Sequence, residues 1–206
     1  MKTYTISELS PEAKKTAIEG IRNDRGFTER DIDLDWVIEN ETEDLEALGL
    51  DNVEISFTGF WSQGDGASFT ARVNDIPNFI KTIGVTDEIL PKVLAAFEEV
   101  YEMEIIRTDS RYFHENTVRF DLSEPLDDPE LVIMSGFGIG DITVDLTETL
   151  EEIGLEKKAS EWVKSKCKEI YRKLEKAYNE EFSEEAAEEW VDSIGMEFDE
   201  EGNEVN

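Results

Sequence analysis

The sequence is poor in the residues that build metal and disulfide sites. It has one Cys and one His in 206 residues, so an internal disulfide and a Cys/His zinc site within one chain are excluded. No apolar run is long enough to span a bilayer, and the opening residues MKTYTISELS lack the apolar segment of a secretion signal. We therefore expect no metal, no cofactor, no membrane contact and a cytoplasmic location.

Basic residues are also scarce. Lys and Arg number 20 against 51 Asp and Glu, which gives a formal net charge of −31. Duplex DNA and anionic membranes are poor partners for such a chain, because each carries like charge. Basic proteins are good partners, and so are proteins that themselves bind nucleic acid. Apolar residues make up 39% of the chain, which is enough for a core, so the charge does not indicate disorder.

The acidic residues are concentrated in three stretches that contain no Lys or Arg. Eleven lie between Arg30 and Arg72, eleven between Arg119 and Lys157, and twelve after Lys176. Residues 157–176 are the opposite, with eight bases and three acids. Two interpretations remain open. The stretches are either solvated surface, neutralised in part by the basic helix, or a face that binds a positively charged macromolecule.

The size of the charge is compatible with mimicry of DNA. A compact domain of this length has a diameter of about 43 Å, and duplex DNA of that length carries about 25 phosphate charges. The net charge of −31 is of the same order. The candidate acidic surface comprises Asp31, Asp33, Asp35, Glu39, Glu43, Asp44, Glu184, Glu185, Glu188 and Glu189.

Local patterns predict an α+β fold with a mainly antiparallel sheet, N-terminal helices and a C-terminal helical segment. Ser10 before Pro11 is typical of a helix start, and Ser183 is the predicted N-cap of a last helix. We predict a single domain over residues 1–206. The predicted helices cover about 11–21, 33–48, 76–83, 87–101 and 156–195, strands flank a turn at 61–67 and occupy most of 103–146, and a short hairpin ends the chain at 196–206.

Catalytic motifs are absent or incomplete. Asp31, Asp33 and Asp35 have the spacing that opens a calcium loop, but Trp36 and Thr42 stand where Gly and Glu are required. The Gly-rich segment 135–141 departs from nucleotide-binding patterns and is followed by a strand pattern, so a turn is the better interpretation. His114 has no nucleophile signal nearby. We assign no catalytic residue and expect a protein that is not an enzyme.

The turn at residues 61–67 is the most unusual segment. Two large aromatic residues, Phe60 and Trp61, precede a Gly-rich bend that contains Gln63 and Asp65. Aromatic and amide side chains at a turn suit binding, so these four residues are candidates for a recognition site. The alternative is structural, with Trp61 covering the core above a bulged hairpin.

The segment GFWSQGDGASF at 59–69 resembles an uncharacterised family of phage and prophage proteins. Some members are labelled as the antitoxin of a toxin–antitoxin stability system. The likeness extends to KTYTISELSPEAKKTAI at 2–18, EIYRKLEKAYNEEFSEEAAEEW at 169–190 and MEFDEEGNEV at 196–205, and it leaves 74–157 unmatched. It implies a phage origin, hence a host-cell cytoplasmic location, and it carries over no catalytic residues.

These observations predict an acidic inhibitor that binds a basic or nucleic-acid-binding host protein, a toxin or a defence factor, with DNA mimicry as one route. The oligomeric state stays open. The first alternative is a small-ligand or nucleotide-binding enzyme with its site at the Trp61–Asp65 and Ser135–Asp141 turns. The second is a structural or assembly protein.

Overall fold

The computed structural model describes residues 2–85, 103–109, 111–122, 130–133, 142–145 and 154–205, and for 130–133 and 142–145 it describes the backbone. The helices are α1 (Pro11–Ile21), α2 (Arg25–Thr28), α3 (Asp35–Ala47), α4 (Ile76–Thr82), α5 (Leu155–Glu181) and α6 (Glu184–Ile194), after a 3₁₀ helix (Ile6–Glu8). The strands are β1 (Leu50–Phe57), β2 (Ala67–Val73), β3 (Met103–Arg107), β4 (Val118–Leu122), β5 (Glu130–Ile133) and β6 (Ile142–Asp145). The predicted α+β class is confirmed.

The helix starts lie where the capping signals placed them. The Ser10 hydroxyl accepts a hydrogen bond from the Ala13 N–H at 3.3 Å, and Pro11 is the first residue of α1. The Ser183 hydroxyl accepts one from the Ala186 N–H at 3.1 Å at the start of α6. Each cap satisfies a backbone donor that has no partner within its own helix.

The chain divides into two compact units. Unit 1 comprises Met1–Val37 and Lys173–Asn206, and unit 2 comprises Ile38–Arg172. Unit 1 is therefore assembled from the two ends of the chain. The prediction of one domain concerns cooperative folding, which this division does not test, so it stays a prediction.

Unit 1 has a core of helical residues from both ends of the chain. The buried members are Ile6, Ala17, Ile18, Ile21, Phe27, Ala187, Val191 and Phe198. Phe27 is edge-on to Phe182 and to Trp190, at ring distances of 5.7 and 5.5 Å. The Arg30 guanidinium lies 4.0 Å from the Phe27 ring centre and donates to the Glu181 carbonyl. Tyr4 forms an antiparallel bridge with Phe198.

Unit 2 contains a four-stranded antiparallel sheet in the order β1-β2-β3-β4. The predicted hairpin is β1 and β2, with Phe57 opposite Ala67 across the turn. A bulge interrupts the register between Asp51 and Glu54. Strands β5 and β6 form a separate antiparallel pair.

One face of the sheet packs against helices α4 and α5 within unit 2. Along β2, Ala67, Phe69, Ala71 and Val73 alternate as buried residues. Trp162 of α5 is perpendicular to Phe69 and to Phe79, at ring distances of 6.3 and 5.4 Å. These contacts connect α5 to the sheet next to the β1–β2 turn.

Two predictions lie outside the described residues. They are the helix over 87–101 and the Gly-rich turn at 135–141. In the sequence, β5 ends before residues 135–141 and β6 begins after them.

Candidate functional site

The turn between β1 and β2 is closed by its own hydrogen bonds. At its base the Thr58 N–H donates to the Gly66 carbonyl at 3.1 Å, and the Gly66 N–H donates to the Thr58 hydroxyl at 3.2 Å. At its tip the Ser62 N–H donates to Asp65 Oδ2 at 2.6 Å, and the Asp65 N–H donates to the Ser62 carbonyl at 3.2 Å. The Asp65 carboxylate therefore has a structural role in shaping the turn.

The loop between β3 and β4 supports this turn from one side. A Cβ at Gly66 would lie 2.5 Å from His114 Cβ and 2.9 Å from the Phe113 carbonyl oxygen. This close approach explains why the position holds glycine. A Cβ at Gly64 would lie 3.5 Å from the Tyr112 ring, so this ring lies next to the tip of the turn.

The supporting loop is itself held in place at two points. The Arg107 guanidinium lies 4.5 Å from the Phe113 ring centre, and its Nη2 donates to Ser56 Oγ on β1 at 2.9 Å. The Thr117 N–H donates to the His114 carbonyl at 2.8 Å. His114 Nδ1 accepts from the Asn116 N–H at 3.1 Å, so the single histidine has a loop-forming role.

Aromatic rings continue from the sheet to the tip of the turn. Phe60 contacts Phe57 at 5.9 Å and Trp61 at 5.9 Å, measured between ring centres. It also contacts Tyr171 of α5 at 5.6 Å. Sequence reasoning identified Phe60 and Trp61 and missed Tyr112 and Tyr171, because these two residues lie at least 45 positions from the turn in the sequence and no local pattern relates them to it.

Trp61 combines two unfavourable features. Its side chain is 66% exposed, and Tyr112 beside the turn is 48% exposed. Its backbone φ is 72°, in the left-handed region. That conformation is disfavoured for an L-residue by about 1–2 kcal/mol, and it is an outlier for a bulky side chain. The structural interpretation, in which Trp61 covers the core, does not account for an indole that is mostly in solvent.

The acidic candidates Glu39 and Glu43 on α3 are exposed, and the exposed Glu46, which was not among the candidates, lies on the same side of the helix. Glu39, Glu43 and Glu46 have i, i+4, i+7 spacing, which places them on one face. Asp44 is also exposed, whereas Glu41 is buried. In unit 1, Asp31, Asp33 and Asp35 are exposed just before or at the start of α3.

Three lysines of the basic helix form ion pairs with acids outside this stretch. Lys166, Lys168 and Lys176 pair with Glu169, Glu115 and Glu180 at 3.0, 3.5 and 3.4 Å. Within the part of the chain that the structure describes, no ion pair involves the following exposed acids: Asp31, Asp33, Asp35, Glu39, Glu43 and Glu46. Their charge is therefore exposed to solvent.

On α6 the candidates differ from one another. Glu188 forms an ion pair with Lys14 at 2.7 Å and is half-buried. Glu184, Glu185 and Glu189 are exposed. Glu188 therefore contributes to the packing of α6 in unit 1, and the exposed acids are the better candidates for an external contact.

Other chemistry is sparse in the described residues. Cys167 is buried, and burial raises the pKa of its thiol to about 12, so it is unsuited to nucleophilic attack. A search of the described ranges found no cluster of His, Cys, Asp and Glu that could hold a metal ion. In the same ranges no helix is long and apolar enough to cross a membrane.

The comparisons with known proteins give a family and no function. Neither a curated protein nor a solved structure matches the chain significantly. A family model described as "Domain of unknown function (DUF8835)" matches residues 34–184. This match covers all of unit 2 and more than half of the chain. The chain therefore belongs to the DUF8835 family.

Proposed function

We propose that this protein is an acidic inhibitor that binds a basic surface of another protein, such as a nucleic-acid-binding protein, a toxin or a defence factor. One observation carries the proposal. The exposed carboxylates of Glu39, Glu43 and Glu46 share one face of α3, and none of them is in an ion pair with a described residue. A face of this kind presents negative charge that is available to an external cation.

Charge of this size acts mainly on association. A net charge of −31 attracts a basic partner over distances greater than a contact, and steering of this kind raises association rates about 10- to 1,000-fold at low salt. The screening length is about 8 Å at physiological salt, so the final complex depends on local contacts. If the partner normally binds DNA, the protein and DNA compete for the same surface.

The proposal is tested by affinity capture from a bacterial lysate at low and high salt, followed by mass spectrometry. The resemblance to phage and prophage proteins directs the choice of a bacterial source. We expect basic proteins to be retained at low salt and released at high salt. A 20-base-pair duplex should displace a captured protein if DNA mimicry is the mechanism.

Two charge-neutralised variants identify the face involved. The first is Glu39→Gln, Glu43→Gln and Glu46→Gln on α3, and the second is Glu185→Gln, Glu189→Gln and Asp192→Asn on α6. Each variant removes three exposed charges. The loss of three exposed ion pairs weakens binding about tenfold. Capture of the same proteins by both variants and at both salt concentrations would contradict the proposal.

A further inference from the structure

We propose that Trp61 is the anchoring residue of this interface and that an arginine side chain of the basic partner stacks on its indole ring. This inference rests on the proposed function, because it specifies how a cationic protein surface is held once charge has brought it close. It commits to one occupant, a guanidinium group on a folded protein or peptide.

The first argument is that a tryptophan at position 61 lowers the stability of the fold. A residue at φ 72° is most stable as Gly or Asn, and an exposed turn position is most stable as a polar residue. Trp61 satisfies neither requirement, since its side chain is 66% exposed. An exposed aromatic residue on a left-handed backbone is the type of outlier that marks a functional site.

The second argument is that the turn that carries the indole is preorganised. The turn is closed by four hydrogen bonds, between Thr58 and Gly66 and between Ser62 and Asp65. It lies against His114 and Tyr112, whose own loop is tied to β1 through Arg107. A contact residue on a rigid turn loses little conformational entropy on binding, which favours affinity.

The third argument concerns the chemistry of the occupant. Trp has the strongest attraction for cations among aromatic side chains, and arginine stacks on aromatic rings more often than lysine does. This chain contains two such pairs, Arg30 over Phe27 at 4.0 Å and Arg107 over Phe113 at 4.5 Å. Trp61 offers a comparable surface at the exterior.

The charges around the turn are compatible with a cationic ligand. Asp65 lies in the turn, and Lys168 on α5 is paired with Glu115 at 3.5 Å. Arg111, which precedes Tyr112, is an exposed cation that opposes the ligand locally. The half-buried Arg107 at the same loop is a second local cation, and the net charge of −31 outweighs both over longer distances.

The test uses two peptides of equal charge, nona-arginine and nona-lysine, with the full chain. Binding is followed by the NMR signals of the indole N–H groups, and the Trp61 signal is assigned from a Trp61→Phe variant. We expect nona-arginine to shift the Trp61 signal and to bind about two- to fivefold more tightly than nona-lysine. Trp61→Asn should bind both peptides equally, at the lower affinity.

Two controls separate an anchoring role from a structural one. Trp36 is also exposed, at 53%, but it lies on ordinary helical backbone at the start of α3. Trp36→Ala should keep the preference for arginine. Trp61→Asn should change the melting temperature by no more than about 3 °C, because relief of backbone strain offsets the lost ring contacts. A fall of about 8 °C or more would assign Trp61 to the core and overturn the inference.

The outcomes for the two proposals are distinguishable. Equal binding of the two peptides by the unmodified chain, with loss of binding in the Glu39, Glu43 and Glu46 variant, would overturn the role of Trp61 and leave the proposed function standing. No binding of either peptide at low salt would count against both. A Trp61 signal that does not move while nona-arginine binds would also overturn the anchoring role.

Discussion

The core of unit 1 and the sheet of unit 2 are built from contacts of different range. In unit 1, Arg30 contacts Glu181 and Phe27 contacts Trp190, so residues from opposite ends of the chain share one core. In unit 2, the first hairpin joins Phe57 to Ala67, and the second joins Arg107 to Val118. Unit 1 therefore depends on long-range packing, whereas the sheet of unit 2 is built from neighbouring strands.

Both units combine a packed core with exposed apolar side chains. In the described residues of unit 1, most large aromatic side chains are buried or half-buried, and Phe182 and Trp190 each contact Phe27. Each unit also presents two large apolar side chains to solvent, Trp36 and Ile194 in unit 1 and Trp61 and Tyr112 in unit 2, and of these four only Trp61 has a left-handed backbone. The family match covers all of unit 2 and ends at residue 184, within unit 1. Unit 2 is therefore where we place the anchoring contact.

The largest expected effect is the loss of folding stability when a core phenylalanine is removed from either unit. Phe27→Ala in unit 1 and Phe79→Ala in unit 2 each remove a fully buried ring. Each change should lower the free energy of unfolding by about 3–5 kcal/mol, because it leaves a cavity and removes aromatic contacts. Urea unfolding followed by circular dichroism measures the loss. A loss below about 1 kcal/mol in either variant would contradict the packing described for that unit.

Reaction of Cys167 in unit 2 with a thiol reagent, followed in the same urea series, measures whether the two units unfold together. Its thiol is buried and has a raised pKa of about 12, so it should resist thiol reagents until unit 2 opens. If Phe27→Ala exposes Cys167 at the urea concentration where helicity is lost, the chain behaves as one domain. Protection of Cys167 through a first loss of helicity would instead show that unit 1 unfolds separately.

Glycine substitutions give the next effect, again with one site in each unit. A Cβ at Gly66 would meet the His114 backbone and the Phe113 carbonyl, and a Cβ at Gly202 would collide with the Ala13 carbonyl oxygen. Gly66→Ala and Gly202→Ala should each destabilise the protein by about 2–3 kcal/mol. Thermal melts measure the change.

Gly20→Ala is the matched control for these two variants. Gly20 lies in α1, and its Cβ would meet no atom within 4 Å. This change should stabilise the protein by about 0.5–1 kcal/mol, because alanine is the better helix former. Equal tolerance of alanine at all three positions would mean that the close approaches at Gly66 and Gly202 relax without cost.

The smallest expected effect is a pH-dependent change in the stability of unit 1. Hydrogen bonds from the side chain and backbone of Asn203 lower the pKa of Asp199 in the terminal turn. A carboxylate with a lowered folded-state pKa adds stability above its unfolded pKa, and this is lost as the pH falls through the folded value. Asp199→Asn should therefore melt slightly lower than the unmodified chain at pH 7, and the difference should vanish in acid. Chemical shifts of the terminal turn measured against pH check the assignment, and a difference that persists in strong acid would refute it.

Much of the local structure could be predicted because its causes are local. Capping by Ser10 and Ser183, the limits of α3 and the β1–β2 hairpin follow from side chains within a few residues. At the candidate site, Phe60 and Trp61 stood out for the same reason. The partners Tyr112, His114 and Tyr171 did not, because their proximity depends on how β3, β4 and α5 pack within unit 2.

The net charge, the three acidic stretches, the element types and the aromatic turn could be read from the sequence alone, since each depends on composition or on short-range pattern. The tertiary structure was needed to show that the two ends of the chain share a core, that Glu39 and Glu43 form no ion pair with a described residue, and that Trp61 is exposed on a left-handed backbone. The physical reason is that pairing and exposure depend on which distant surfaces meet, and hydrophobic burial selects those surfaces by their shape and area after the local elements have formed.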